Sequence, residues 1–197
     1  MSIEDMIRAI QEQLGITADG RAGPETWGAI YARIVPAAKP PPAQAEDSRS
    51  EKNIATLLPE VQPYARALIG KAAAVGITIK VISGTRSYAE QDALYAQGRS
   101  APGPIVTNAK AGYSNHNFGL AFDIGVFEGN KYLAESPKYK AVGALGIEIG
   151  LSWGGSWKSF QDQPHFELRP AWAKNLSESQ MLAALRQRKT DGEPVFA

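Results

Sequence analysis

Hydrophobic positions in the first fourteen residues recur at helical spacing, with Ile3, Met6, Ile7, Ile10 and Leu14 forming one stripe. Ser2 and Asp5 fit a capping box ahead of that stripe, and Gly15 suits the position just past its end. Asp19-Gly20 marks a turn, Pro24 suits a first helical position, and Trp27, Ile30, Tyr31 and Ile34 supply a second stripe. Residues 1–35 therefore read as a small α-helical module, too short to bury much apolar area alone. The pattern then stops. Residues 36–50 contain no Leu, Ile, Val, Phe, Tyr or Trp and four prolines, which predicts an extended, semi-stiff linker.

From residue 51 the periodicity alternates between helix and strand. Ala65, Leu68, Ile69, Ala72 and Val75 predict a helix that starts near Pro63 and stops at Gly76. Ile77, Ile79 and Val81 alternate with Thr78 and Lys80 as a half-buried strand does. Ser87 and Glu90 open a helix through Leu94 and Tyr95, and residues 99–113 are a Gly/Pro/Ala-rich loop. Leu120, Phe122, Ile124 and Val126 alternate with Ala121, Asp123 and Gly125 in a second strand. A helix begins at Ser136-Pro137 and carries Tyr139, Val142 and Leu145; Phe166 and Leu168 mark a short strand. Ser177 with Gln180 caps a last helix through Met181, Leu182 and Leu185. Residues 51–197 thus predict an α+β domain, a small, mostly antiparallel sheet with flanking helices.

Composition narrows the function classes. With 21 Lys+Arg against 20 Asp+Glu, the chain lacks the basic excess that nucleic-acid binding wants, and no nucleic acid is expected as partner. No stretch approaches the ~18 apolar residues of a membrane span. The absence of cysteine excludes thiolate metal sites, disulfides and cysteine nucleophiles. The start has neither the basic n-region nor the apolar h-region of a secretory signal.

Only two histidines exist, His116 and His165, and each has a carboxylate at suggestive spacing: Asp123 after the first, Asp162 before the second. In the strand around residue 122, alternation places the bulky residues on one face and Asp123 with small residues on the other. Two imidazoles and one carboxylate make a three-ligand set that leaves a position open, as in catalytic zinc sites. A carboxylate outside the ligand set must then take the proton of the attacking water, and Asp162 is placed for this. Arg86, beyond the first strand, is a candidate cation for a developing oxyanion, against the alternative of a surface ion pair. Ser114 either meets substrate or shapes the turn before His116, and Trp157 is expected to wall a cleft. Small residues at Gly119, Ala121, Gly154 and Gly155 are expected to leave room there for substrate.

The run Ser114-Asn115-His116-Asn117-Phe118-Gly119-Leu120-Ala121-Phe122-Asp123 resembles the first signature of zinc peptidases related to D-alanyl-D-alanine carboxypeptidases. Trp153-Gly154-Gly155-Ser156-Trp157 through Asp162, His165 and Phe166 is similar to the second signature of the phage-type L-alanyl-D-glutamate peptidases. Ser83-Gly84-Thr85-Arg86-Ser87 followed by Gln91, Leu94 and Tyr95 resembles their upstream block, so the likeness covers roughly residues 54–170. The resemblance implies His116, Asp123 and His165 as zinc ligands and Asp162 as catalytic base; Arg86 is the expected catalytic cation, and Ser114, Gln91 and Trp157 are the expected substrate contacts. Asp in place of the Glu usual in the carboxypeptidase branch leans toward the endopeptidases, whereas Ser156 departs from the Asp common at that position. Ile10-Gln11, Asp19-Gly20 and Gly23-Pro24-Glu25-Thr26-Trp27 resemble a peptidoglycan-binding helical module. What the resemblance implies is a zinc endolysin, and a monomer is expected. It would cleave the L-Ala–D-Glu bond of peptidoglycan, and the lack of a secretory signal at the start leads to the expectation that it is held in a host cytoplasm until lysis. A D-alanyl-D-alanine carboxypeptidase and a non-catalytic zinc-containing wall-binding protein are the alternatives.

Overall fold

A computed structural model describes residues 1–23, 26, 27, 30, 47–158 and 160–197. The chain divides into two compact units, Met1–Ala43 and Gln44–Ala197. In the first, α1 (Ile3–Leu14) is closed by the expected Ser2/Asp5 capping box and ends on Gly15 at φ 70°. Its centre is polar. The Gln11 amide donates to Asp19 Oδ1 (2.7 Å), Arg21 O (3.0 Å) and Thr26 Oγ1 (2.9 Å), while its carbonyl accepts from Gly20 N (2.8 Å). A buried, fully paired amide thus fixes the Asp19-Gly20 turn. The apolar stripe of α1 is not buried with it: Ile3, Met6 and Ile10 are exposed, as is Trp27. The second predicted stripe beyond Ile30, and the linker as far as residue 46, lie outside the described residues.

The second unit starts earlier than the hydrophobic pattern suggests. Asp47 caps α2 (Ser48–Ile54), so residues 48–50, predicted as linker, are helical. The reason is polar pairing rather than an apolar stripe. Ser50 Oγ accepts from Val81 N (3.0 Å) and Asn53 Nδ2 donates to Val81 O (2.8 Å), so α2 side chains satisfy the outer edge of the sheet. The unit continues through α3 (Gln62–Ala74), β1 (Thr78–Ser83), α4 (Tyr88–Ala96), β2 (Ala121–Glu128), β3 (Lys131–Leu133), α5 (Lys138–Glu148), β4 (Ser152–Trp153), β5 (His165–Glu167) and α6 (Glu178–Asp191). Both predicted capping boxes, Ser87/Glu90 on α4 and Ser177/Gln180 on α6, are formed. No described helix is long and apolar enough to cross a membrane.

Strand order is β1-β2-β5-β4, all antiparallel, with β3 paired to the end of β2. Ile79, Val81, Phe122, Ile124, Val126 and Phe166 point to one face and are buried with Leu68, Tyr139 and Val142. Each such side chain contributes roughly 1.5–3 kcal/mol by leaving water. Gly146 of α5 admits the Phe166 ring, since a Cβ there would stand 2.4 Å from it; Gly143 does the same for Trp153. The helix can therefore lie close against β4 and β5, and β5 pairs with β2 in a register that sets Asp123 opposite His165. The opposite face of those strands carries the polar chemistry.

Candidate metal centre

Asp123 sits at the centre of this face. β2 turns its bulky residues inward, so Asp123 points outward, opposite His165 of β5 and beside Ser83 of β1. His116 arrives from a one-turn 3₁₀ helix, Asn115–Phe118, that Gly119 ends at φ 70°. That turn is locked to the segment after β1: Arg86 N donates to His116 O (3.0 Å) and Asn117 Nδ2 to Arg86 O (3.0 Å). His116 Nδ1 donates to Gly84 O (2.8 Å), which fixes the tautomer and leaves Nε2 facing Asp123 Oδ1 at 3.3 Å. His165 presents Nδ1 to the same oxygen at 3.3 Å.

One donor atom from each of His116, Asp123 and His165 lies within 4.8 Å of the other two. Asp123 Oδ1 is buried and has no hydrogen-bond partner, since neither imidazole contact has hydrogen-bond geometry. An orphaned buried acceptor faced by two ring nitrogens is what a cation-binding set requires. The N₂O donor chemistry suits zinc. Burial pushes the Asp123 carboxyl up, but the flanking imidazoles outweigh that and hold it well below the ordinary carboxylate range. For His165 burial opposes the charged form, yet the carboxylates of Asp123 and Glu167 on either side hold its pKa up to about 10. The pocket is poised for positive charge.

Asp162 stands apart from this set in the same cleft. Its carboxylate makes no hydrogen bond among the described residues, and its pKa is raised, by burial first and by Asp123 second. Its backbone is pinned: Asp162 N donates to Gly154 O (3.1 Å), and His165 N donates to Asp162 O (3.3 Å). Gly154 permits that approach, because a Cβ there would stand 2.5 Å from Asp162 O and 3.0 Å from His165 Cβ. Asp162 and His165 are thus set on one tight loop.

Arg86 lines the cleft, but its guanidinium is not free-standing. Nη2 donates to Asp123 Oδ2 and to Ser83 Oγ (3.0 Å), Nε also donates to Ser83 Oγ (3.2 Å), and Nη1 has no partner among the described residues. Trp157 is at the wall as expected, its ring 5.0 Å from that of His165. Ser114 also lines the cleft, and its side chain makes no cap hydrogen bond to the turn it precedes, although its carbonyl accepts from Asn117 N (3.0 Å).

Gln91 does not reach the cleft. It is fully buried, and Nε2 donates to Ala109 O (2.8 Å), so it shapes the 107–109 loop rather than meeting substrate. The expected small-residue walls also need correction. Ala121 is fully buried, Gly119 lies against Leu58, and Gly155 against the Trp153 ring. These positions are small because backbone and side chains pack there, not because space is left. The cleft itself, ≈ 1350 Å³, is lined away from the metal set by Thr107, Asn108, Tyr113, Trp157 and Phe160 among others.

Glu167, which the sequence reading did not single out, lies directly behind His165. It is buried, and its Oε2 lies 3.1 Å from His165 Nε2. Burial pushes its pKa up, but His165, Asn115 and Arg169 outweigh that and hold it below the ordinary range. Its signal was available, since position 167 shares a strand face with position 165.

A three-donor metal set, an uncommitted carboxylate beside it and an open cleft define a metallopeptidase. A family model described as D-alanyl-D-alanine carboxypeptidase matches residues 107–168. The peptidoglycan L-alanyl-D-glutamate endopeptidase CwlK of Bacillus subtilis (strain 168) is 39% identical over 124 residues, which are 58% of this chain and 74% of that protein. The solved structure of the Serratia marcescens L-Ala D-Glu endopeptidase ChiX matches the fold with a TM-score of 0.50 at 24% identity, covering 62% of this chain and 87% of that one. The chain belongs to the family of zinc D-alanyl-D-alanine carboxypeptidases and L-alanyl-D-glutamate peptidases.

Proposed function

We propose that the protein is a peptidoglycan endopeptidase that hydrolyses the L-Ala–D-Glu bond of the stem peptide. The observation that carries this reading is the joint one. Asp162 stands beside the His116–Asp123–His165 set without belonging to it, in a chain 39% identical to an L-alanyl-D-glutamate endopeptidase. His116, Asp123 and His165 would hold zinc, which would supply Lewis acidity toward the scissile carbonyl and lower the pKa of water. Asp162, its basicity raised by burial, takes the proton of the attacking water and delivers it to the leaving amine. Arg86, anchored on Asp123 and Ser83, offers Nη1 to the carbonyl oxygen as charge develops there. Trp157 and Ser114 flank the peptide, Trp157 excluding water beside His165.

Mass spectrometry of digested muropeptides tests the bond. The expected products are a peptide beginning at D-glutamate and a muramic acid that retains L-alanine. A stem shortened only by its terminal D-alanine assigns the carboxypeptidase reaction instead.

The first unit serves as a wall-binding module in this reading, supported by its motif likeness and by the exposed Ile3, Met6, Ile10 and Trp27. A tethered binder raises the effective concentration of the catalytic unit at an insoluble polymer without touching the chemistry. Deleting residues 1–43 is expected to weaken sacculus binding in a pelleting assay while cleavage of small soluble muropeptides stays nearly unchanged. Equal pelleting of the full and shortened chains would remove this role.

A further inference from the structure

The polar cluster behind His165 extends well beyond a single contact. His165 Nε2 (3.1 Å) and Asn115 Nδ2 (2.6 Å) converge on the same oxygen of Glu167. Asn115 Nδ2 also donates to Glu178 Oε1 (2.7 Å), at the first residue of α6, and Arg169 Nη1 donates to Glu178 Oε2 (3.1 Å). Arg169 is itself held by Ala173 O (3.0 Å) and by Leu176 O on the approach to α6. Asn115 precedes His116, and Glu167 follows His165 by two. Their bond therefore ties together the two elements that carry the imidazoles. Arg169 and Glu178 lie beyond the segment matched by the family model, residues 107–168.

We infer that Glu167 is a positioning residue for the metal site, and that Asn115, Glu178 and Arg169 anchor it to the C-terminal helix. The inference rests on reading His116, Asp123 and His165 as the metal ligands. With Nδ1 of His165 directed at Asp123, its Nε2–H must go elsewhere, and Glu167 Oε2 receives it. That bond selects the tautomer with a free Nδ1, fixes the ring plane and makes Nδ1 a stronger donor to a cation. The His116 ring gets only a neutral carbonyl, Gly84 O, for the same purpose. The two imidazoles are therefore unequal ligands, and the stronger one depends on α6.

The test uses the full chain and two readouts that do not involve peptide cleavage. These are zinc affinity by competition with a chromophoric chelator and the visible spectrum of the cobalt(II)-substituted protein. Glu167→Gln keeps an acceptor but removes the charge; it is expected to weaken zinc by about 10–100-fold, the usual scale for such partners, and to shift the cobalt bands. Glu167→Ala is expected to lose at least as much, and Glu178→Ala less, because it acts one bond further away. Unchanged zinc affinity and cobalt bands in both Glu167 variants, with only a lower melting temperature, would overturn the inference. If the Glu167 variants do not fold, Asn115→Ala decides, since it releases Glu167 without touching His165: weaker zinc with shifted bands supports the positioning role, and unchanged values overturn it. His116→Ala is the control for the reading beneath. Zinc bound by that variant as tightly as by the unsubstituted chain defeats the ligand set itself, whereas the Glu167 result alone defeats only the positioning role.

Discussion

Asp162→Asn is expected to bind zinc as the unsubstituted protein does, keep its melting temperature within a few degrees, and lose at least ~100-fold in the rate of muropeptide cleavage. A hundredfold corresponds to roughly 2.7 kcal/mol of transition-state stabilisation, a typical share for one positioned base. The geometry separates this residue from its neighbours. The carboxylate makes no hydrogen bond among the described residues, so an amide in its place breaks no network. Its placement comes from the backbone, through Gly154 O and His165 N, and both bonds survive the substitution. Removing a buried negative charge near Asp123 also relieves a repulsion. Stability therefore does not suffer, and the loss falls on chemistry alone. Metal analysis beside steady-state kinetics makes the check, and loss of zinc in Asp162→Asn would turn Asp162 into a ligand.

Much of this site was legible in the sequence because β-strand alternation is a strong constraint. Once Phe122, Ile124 and Val126 are assigned to the core, Asp123 must face the other way, and strand pairing sets it opposite His165. The capping boxes at Ser2, Ser87 and Ser177 were readable for a similar reason, since two side-chain bonds at fixed spacing leave few alternatives. What escaped had no apolar signature. Helix α2 is held on the sheet edge by Ser50 and Asn53, and a polar run beside a proline tract carries the pattern of a linker. Gln91 misled in the opposite direction, because a polar residue inside a recognised block suggests contact with substrate, while its burial depends on a loop sixteen or more residues away. The glycines were open to the same confusion. Absence of a side chain fits both an open wall and a close approach, and only the neighbouring atoms, Asp162 O at Gly154 and the Trp153 ring at Gly155, decide between them.

His165→Ala is expected to abolish both near-stoichiometric zinc and cleavage, and to destabilise the metal-free protein more than His116→Ala does. Either substitution removes one of three donors from the set. The difference lies in what each imidazole leaves behind. His116 has a neutral carbonyl on one side, Gly84 O, and Asp123 on the other. His165 lies between two carboxylates, Asp123 and the buried Glu167; its removal leaves Asp123 with Arg86 and His116 but leaves Glu167 with only the neutral Asn115 amide in direct contact. Breaking a buried ion pair costs up to about 3–5 kcal/mol, reduced here by the Asn115 bond that Glu167 keeps, against about 0.5–1.5 kcal/mol for the neutral hydrogen bond that His116 gives up. Trp157 adds to the asymmetry, because its ring packs on that of His165 and loses a face of contact. Denaturant melts of the two variants in excess chelator isolate the protein term from metal binding, and metal analysis after dialysis of each supplies the other half. A His165→Ala protein that retained a full equivalent of zinc would remove His165 from the ligand set. Equal melts for the two variants would show that Glu167 and Asp123 find water or other donors as soon as the ring is gone.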